Sequence, residues 1–280
     1  MSTGRESFLI SALSLPEFTF RRADVVDRAS IEPLFVGAEI VFHLAANADV
    51  RFGTDHPTRD FEQNAVATLN VLEAMRANGV PKIAFASTGS VYGEASQIPT
   101  PENALMPIQT SLYGASKVAA EAFIEAYCEG FGMQAWIFRF VSLLGERYTH
   151  GHVVDFVRQL REHPERLHVL GDGLQRKSYL YVGDCIDAIV VALERATAKV
   201  NVLNLGADQY CTVNDSIGWI CERMGVDPAR TYSGGKRGWI GDNPFIFLDC
   251  ASMRALGWRP TRSIQAAVHG TVDYLLANEQ

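Results

Sequence analysis

The sequence predicts an α/β fold, a parallel sheet covered on both faces, with a smaller C-terminal lobe. Three observations carry this. Strand-like and helix-like segments alternate from about residue 18 to about residue 146. Several strand candidates are nearly all apolar, as strands buried on both faces are. The connections between them are short and marked by glycine.

Taken in order, "EFTFRRADVV" (17–26) and "AEIVFHLAA" (38–46) read as short strands. "PTRDFEQNAVATLNVLEAMRANGV" follows as a helix, with Ala65, Val66, Leu69 and Leu72 on one stripe and Gly79 as its stop. "KIAFAST" is another buried strand. "SLYGASKVAAEAFIEAYCEGFG" is a second long helix ending near Gly130, and "MQAWIFRFVSLLG" is a strand running into a loop. Beyond residue 146 the spacing is less regular. Strand candidates "LHVLG", "SYLYV" and "VLNLG" mix with helices such as "TVNDSIGWICERMG", where Thr212 is placed to cap. Two regions follow from this, 1–145 and 146–280, the second interleaved with the end of the main sheet.

Composition narrows the function. The chain has 280 residues, 48% of them hydrophobic, which is enough for a sizeable core. A formal charge of −7 argues against nucleic acid or an anionic membrane as partner. The five cysteines are scattered and form no CxxC pair, which implies buried reduced thiols and a cytoplasmic protein. His150 and His152 have no further ligands near them in sequence, so no metal site is expected.

Tyr113 and Lys117 in "YGASK" stand four apart on the second long helix, so both side chains leave one face. A free phenol, with its pKa near ~10, is a poor base at neutral pH. An ammonium group close by favours the phenolate. The plainer reading is an exposed helix pair. One strand earlier, "FASTGSVYG" ends a buried strand in three hydroxyl residues, Ser87, Thr88 and Ser90. Ligands of open α/β sheets bind beyond the carboxyl ends of strands. A hydroxyl donor, a phenol that exchanges a proton and a lysine that tunes it suit proton-coupled hydride transfer. Alone, the hydroxyl run could equally be a turn bonding its own backbone.

These residues, with the ordered segments "ADVVD", "VFHLAA", "NAVATLNVLEA", "RFVSLLG", "GDGLQRKSYLYVGDCIDA" and "LGWRPT", resemble the extended short-chain dehydrogenase/reductase family, specifically its nucleotide-sugar epimerases of the UDP-galactose 4-epimerase type. The resemblance implies a Rossmann-like sheet in 1–145 that binds NAD and a substrate lobe in 146–280. It implies a catalytic triad of Thr88, Tyr113 and Lys117, with Lys117 also bonding the nicotinamide ribose. Asp24 and Val25 match positions beside the adenine. Leu44, Ala45 and Ala46 match the strand end under the cofactor, and Asn64 an asparagine on the following helix. Ser87 adjoins the triad, and Phe140 matches an aromatic position near the nicotinamide. The two long helices match those that pair across a dimer, so a homodimer is implied.

Members of that family open on a strand, a GxxGxxG turn, a helix and a second strand, and the glycines admit the pyrophosphate to a helix N-terminus. The first sixty residues here hold only Gly4, Gly37 and Gly53. "MSTGR" resembles the stretch that follows the second strand. The resemblance therefore implies a chain that joins the fold late, short by roughly 35–40 residues, about one βαβ motif. Weak NAD binding and an exposed apolar sheet edge are the expected consequences.

For the reaction, family dehydratases carry Asp-Glu after the catalytic Thr, whereas Gly89 and Ser90 follow Thr88 here. Epimerisation of a UDP-sugar at C4 through a 4-keto intermediate is the expected activity. Positions that hold the nucleotide diphosphate align with Ser142, His152 and Lys177; Arg176 and Arg237 are further candidates. Lys177 stands where the family has arginine, which keeps the charge and loses the fork. A non-catalytic relative, or a nucleotide-sugar 4-reductase or decarboxylase, are the competing readings.

Overall fold

The computed structural model describes residues 4–48, 52–106, 108–238, 242–243 and 245–278. Strands are numbered along the chain. The main sheet joins β1 (Val41–His43), β2 (Lys82–Ala86), β3 (Gln134–Phe140) and β8 (Val200–Leu205) in the order β1-β2-β3-β8, all parallel. The period-two rule explains its double burial. Ile83, Phe85 and Ile137 point into one core, with Val71, Leu72, Met75 and Ile124. Ala84, Trp136, Phe138, Leu203 and Leu205 point into the opposite one. Each Ile or Phe buried in this way is worth ~1.5–3 kcal/mol.

The longer helices among the described residues are numbered α1 to α6. α1 (Ala67–Asn78) and α2 (Leu112–Phe131) cover the first face, and α4 (Val182–Arg195) covers the second. The helix predicted over 57–80 begins with one α turn, Pro57–Asp60, and a π-helical stretch, Phe61–Val66, before α1. It stops where expected, at Gly79 in the left-handed conformation, φ 67°. α2 runs one residue past the expected end near Gly130, to Phe131, and is closed by Gly132.

The second lobe is built on small sheets. β4 (Ser142–Leu144) pairs with β7 (Tyr179–Tyr181), and β5 (Arg166–Val169) with β10 (Ala229–Tyr232). β6 (Arg176–Lys177) lies between β9 (Cys211–Thr212) and β11 (Phe245–Ile246). α3 (His152–Glu162), α5 (Val213–Met224) and α6 (Ile264–Asn278) enclose a third core around Val157, Ile217, Ile220 and Val272. Thr212 caps α5 as its type predicts, in a reciprocal box with Asp215.

One element differs. The segment 17–26 is irregular, not a strand. Phe18 and Phe20 alternate as in a strand, but strand backbone is stable only beside a neighbour that takes its hydrogen bonds. No described strand lies there, and the outer edge of β1 has no partner strand among the described residues. The chain is instead held by Asn70, whose Nδ2 donates to the carbonyls of Val25 (3.2 Å) and Val26 (2.7 Å). Near that edge Phe42 and Leu44 are exposed, as are Ile10, Leu13, Leu15 and Val36 of the first residues. All five cysteines are buried and unpaired. Among the described residues no helix is long and apolar enough to cross a membrane, and no three His, Cys, Asp or Glu gather as a metal site would require.

Candidate active site

Parallel pairing sets the carboxyl ends of β1, β2 and β3 side by side, through His43–Phe85 and Ala86–Phe138. Residues 44–46, 87–88 and 141–142 therefore emerge at one edge. Thr88 caps the short helical turn Gly89–Tyr92, its Oγ1 accepting from Ser90 N at 3.1 Å. That hydroxyl makes the turn's own bond, and it also lies near enough to the Tyr113 phenol to act on its pKa. α2 can approach this closely because residue 114 is glycine. A Cβ there would stand 2.7 Å from Gln109 Oε1 and 3.0 Å from the Ser90 carbonyl.

Lys117 is buried a turn beyond Tyr113, its Nζ donating to Ala86 O at 2.8 Å and lying 4.6 Å from the centre of the Phe85 ring. Burial pulls its pKa down to about 8, opposed by the charge of Glu121. The half-buried Tyr113 phenol is pushed up to about 12 by desolvation; the Thr88 hydrogen bond pulls it down, and Asp60 adds to the rise. The spacing rule thus places both groups on one face, but the expected lowering of the phenol by the lysine is not found in the chain alone. Desolvation dominates, and the ammonium is spent on a carbonyl and a ring.

Asn64, on the π-helical stretch, is 1% exposed and ties the site together. It accepts from Asn47 N (2.8 Å) and donates to Ser116 Oγ (2.9 Å), which in turn donates to the Tyr113 carbonyl (2.8 Å). Asn47 Nδ2 also reaches Asp60 at 2.7 Å. Thr68 gives its proton to the Asn64 carbonyl (2.6 Å), so it must accept from His43 Nε2 (2.9 Å). His43 is therefore the neutral Nε2–H tautomer, in keeping with burial and then Lys117 lowering its pKa to about 3.

The donor set fits the nicotinamide–ribose end of NAD: a cation, two hydroxyls, and a strand end exposing Leu44, Ala45 and Ala46. Ser87 is buried behind it and donates to Glu121. Phe140 is half-buried and stacks on Phe138 with centroids 6.3 Å apart. Asp24 is exposed, accepting from Val26 N at 3.0 Å, and Val25 packs toward α1. No described residue before β1 forms a glycine-rich helix start. The helical turn there, Arg28–Ile31, is capped by the acidic Asp27 and does not suit a pyrophosphate.

Of the residues expected on the substrate side, Ser142 pairs in register with Tyr179, and His152 stacks on that tyrosine at 4.7 Å. Burial, and Lys177 beside it, hold His152 neutral with a pKa of about 3, and its Nε2 meets Ser216 Oγ at 2.8 Å. Lys177 forms an ion pair with Asp242 at 2.7 Å. Arg237 pairs with Glu94, just past the turn that Thr88 opens. Arg176 stands apart from these, 3.8 Å above the Phe245 ring. Asn47, Asp60, Glu94 and Asp242 were not singled out in the sequence. Glu121 and Arg139 were missed too, although 113, 117 and 121 continue one helical stripe and an arginine inside "WIFRF" is conspicuous.

A family model described as the NAD dependent epimerase/dehydratase family matches residues 2–206. A UDP-glucose 4-epimerase of Mycolicibacterium smegmatis is 30% identical, covering 100% of this chain and 90% of its own length. A crystal structure of UDP-galactose 4-epimerase superposes with a TM-score of 0.89 at 34% identity, over 100% of this chain and 89% of that one. The UDP-glucuronic acid 4-epimerase of Bacillus cereus, solved with UDP-glucuronic acid and NAD, gives 0.89 at 26% identity, over 97% and 85%. With most of its length inside that family model and its strand-end hydroxyls and helix pair as described, the chain belongs to the NAD dependent epimerase/dehydratase family.

Proposed function

We propose that this chain epimerises a UDP-sugar at C4, with NAD as cofactor, through a 4-keto intermediate. The observation that carries the reading is Thr88 beside the Tyr113 phenol at the strand ends, with Lys117 buried on the same helix face. Relatives named for UDP-glucose, UDP-galactose and UDP-glucuronic acid support the substrate class. Gly89 and Ser90 after Thr88 leave no acid pair for dehydration.

Tyr113 Oη, once deprotonated, accepts the proton of the C4 hydroxyl, and Thr88 donates to the C4 oxygen as it becomes a carbonyl. NAD, when bound, would supply the acceptor for the C4 hydride and, once reduced, the donor that returns it to the other face, and its cationic ring would favour the phenolate. Lys117 is the group placed to hold the nicotinamide ribose. After the keto sugar has turned, Tyr113 returns the proton to the oxygen and C4 has the opposite configuration. Ser142, His152, Arg176, Lys177 and Arg237 bound the sugar-nucleotide side. Residues 1–145 act as the cofactor region and 146–280 as the substrate lobe. The proposal includes a homodimer contact on the outer faces of α1 and α2, and a cytoplasmic location, which the buried unpaired thiols support.

The test is interconversion of UDP-glucose and UDP-galactose by the purified chain with NAD in excess, and Tyr113→Phe as control. Epimer formation without net NADH or carbon dioxide supports the reading. Net NADH consumption or carbon dioxide release would assign a reductase or a decarboxylase. No turnover, with NAD bound, would favour the non-catalytic relative.

A further inference from the structure

Beneath the Thr88–Tyr113 pair lies a polar layer that this reaction does not use. Glu121 and Arg139 are 2% and 3% exposed. Arg139 Nη2 lies 2.6 Å from Glu121 Oε2, and Nε lies 3.1 and 3.2 Å from the two carboxylate oxygens. Ser87 donates to the same carboxylate. On the far side, Arg139 Nη1 donates to the Tyr92 hydroxyl (2.7 Å) and the Glu102 carbonyl (3.0 Å). Tyr92 passes its own proton to Asn204 Oδ1 at 2.9 Å.

Stability is a weak explanation for such a pair. Desolvating two charges offsets most of their attraction, and apolar replacements of similar volume are often as stable. Location is the better one. Ser87 precedes Thr88, and Ala86, whose carbonyl takes Lys117, precedes Ser87. Tyr92 closes the turn that Thr88 opens. Glu121 stands one helical turn beyond Lys117 and two beyond Tyr113. One ion pair therefore ties together the end of β2, the 89–92 turn, α2 and β3, the elements that carry or flank the triad.

We propose that Glu121 and Arg139 are positioning residues for the reaction: their ion pair fixes the triad's elements against one another, and Glu121 supplies the negative charge that Lys117 faces. This rests on the epimerase reading above. The groups facing Lys117 bear it out. Tyr113 and Glu121 share its helix, Asp60 on the Pro57–Asp60 turn acts on Tyr113, Arg139 on β3 is paired with Glu121, His43 on β1 is neutral, and β2 offers the Phe85 ring and the Ala86 carbonyl. Glu121 is the carboxylate whose field acts on the ammonium.

The chain has five lysines, Lys82, Lys117, Lys177, Lys199 and Lys236, so a carbon-13 label at lysine Cε gives a countable spectrum. Lys117 is assigned by Lys117→Arg and titrated without nucleotide. The double variant Glu121→Gln/Arg139→Met removes both charges, so that neither member of the pair is stranded by loss of the other. The Lys117 midpoint is expected to move to lower pH, whereas a purely structural pair would leave it in place. An unmoved midpoint in the folded double variant overturns the proposal. Should that variant not fold, Ser87→Ala carries the test. Loss of the hydroxyl donor strengthens the carboxylate's field, so the midpoint moves to higher pH, and an unmoved one again overturns it. Neither titration needs sugar turnover, so failure of the epimerase reading would be seen separately.

Discussion

The two sides of the site are built differently. At the triad corner Asn64, Ser87 and Lys117 are buried, and each is hydrogen-bonded to other groups of the chain. At the anion side Lys177 and Arg237 lie on a short strand and a loop, and each is paired with a carboxylate of the chain, Asp242 and Glu94. Groups that do chemistry gain from being set before the substrate arrives, because no reorganisation is then needed in the transition state. Groups that hold an exchangeable anion need only a partner weak enough to be displaced. The half-exposed Arg237–Glu94 pair, worth ~0–1 kcal/mol, is such a partner, whereas Lys177 holds an Asp242 that is itself buried.

The largest effect should come at the triad corner. Tyr113→Phe removes the acid–base oxygen from a half-buried site and should lower kcat by ~10²–10⁴-fold, with the thermal midpoint little changed. Steady-state assay beside a thermal melt reads both, and turnover at the parental rate would show that the proton goes elsewhere. Next in size is Arg139→Met alone. It strands the Glu121 carboxylate in a dry site, and urea unfolding should show a loss of ~3–5 kcal/mol. Arg237→Ala should cost less than ~1 kcal/mol in the same measurement. Equal losses would erase the contrast between the two sides.

The contrast also marks what the sequence made legible. Tyr113 and Lys117 were readable because a helical period fixes which residues share a face, and Thr88 because a buried strand has to end in its ligand edge. The same period runs on to Glu121, and Arg139 is a charged residue inside an apolar strand, but neither pattern says that the two side chains meet. Glu94 and Arg237 are 143 residues apart on loops, where no period links them. The direction of the Tyr113 shift was not readable either, since desolvation depends on packing and a nearby lysine does not. Segment 17–26 has a strand's alternation without a strand's neighbour.

A third test compares the sides through pH. His43 at the triad corner and His152 at the anion side are both lowered from 6.5 to about 3, chiefly by burial. Below pH 6.5 the unfolded chain takes up protons that the folded chain refuses. Stability is therefore full above that pH and falls as pH drops toward 3. Each histidine contributes a slope of ~1.4 kcal/mol per pH unit. Urea melts between pH 7 and pH 4 should show it, and His152→Phe, which keeps a ring against Tyr179, should remove about half. An unchanged slope would mean that His152 protonates inside the fold.

The smallest effect belongs to the Glu94–Arg237 contact and tests whether the anion side works by exchange. If the diphosphate takes Arg237 from Glu94, then Glu94→Gln removes a competitor, and KM for the UDP-sugar should fall. The ceiling is the worth of an exposed pair, ~1 kcal/mol or about fivefold. Arg237→Ala should raise KM instead, and kcat should hold in both variants because neither residue reaches the reacting carbon. Added salt should shrink the difference between Glu94→Gln and the parent, since the pair is half exposed and screened. A KM unmoved by either substitution would remove Arg237 from the substrate site and leave the contact as a tie between two loops.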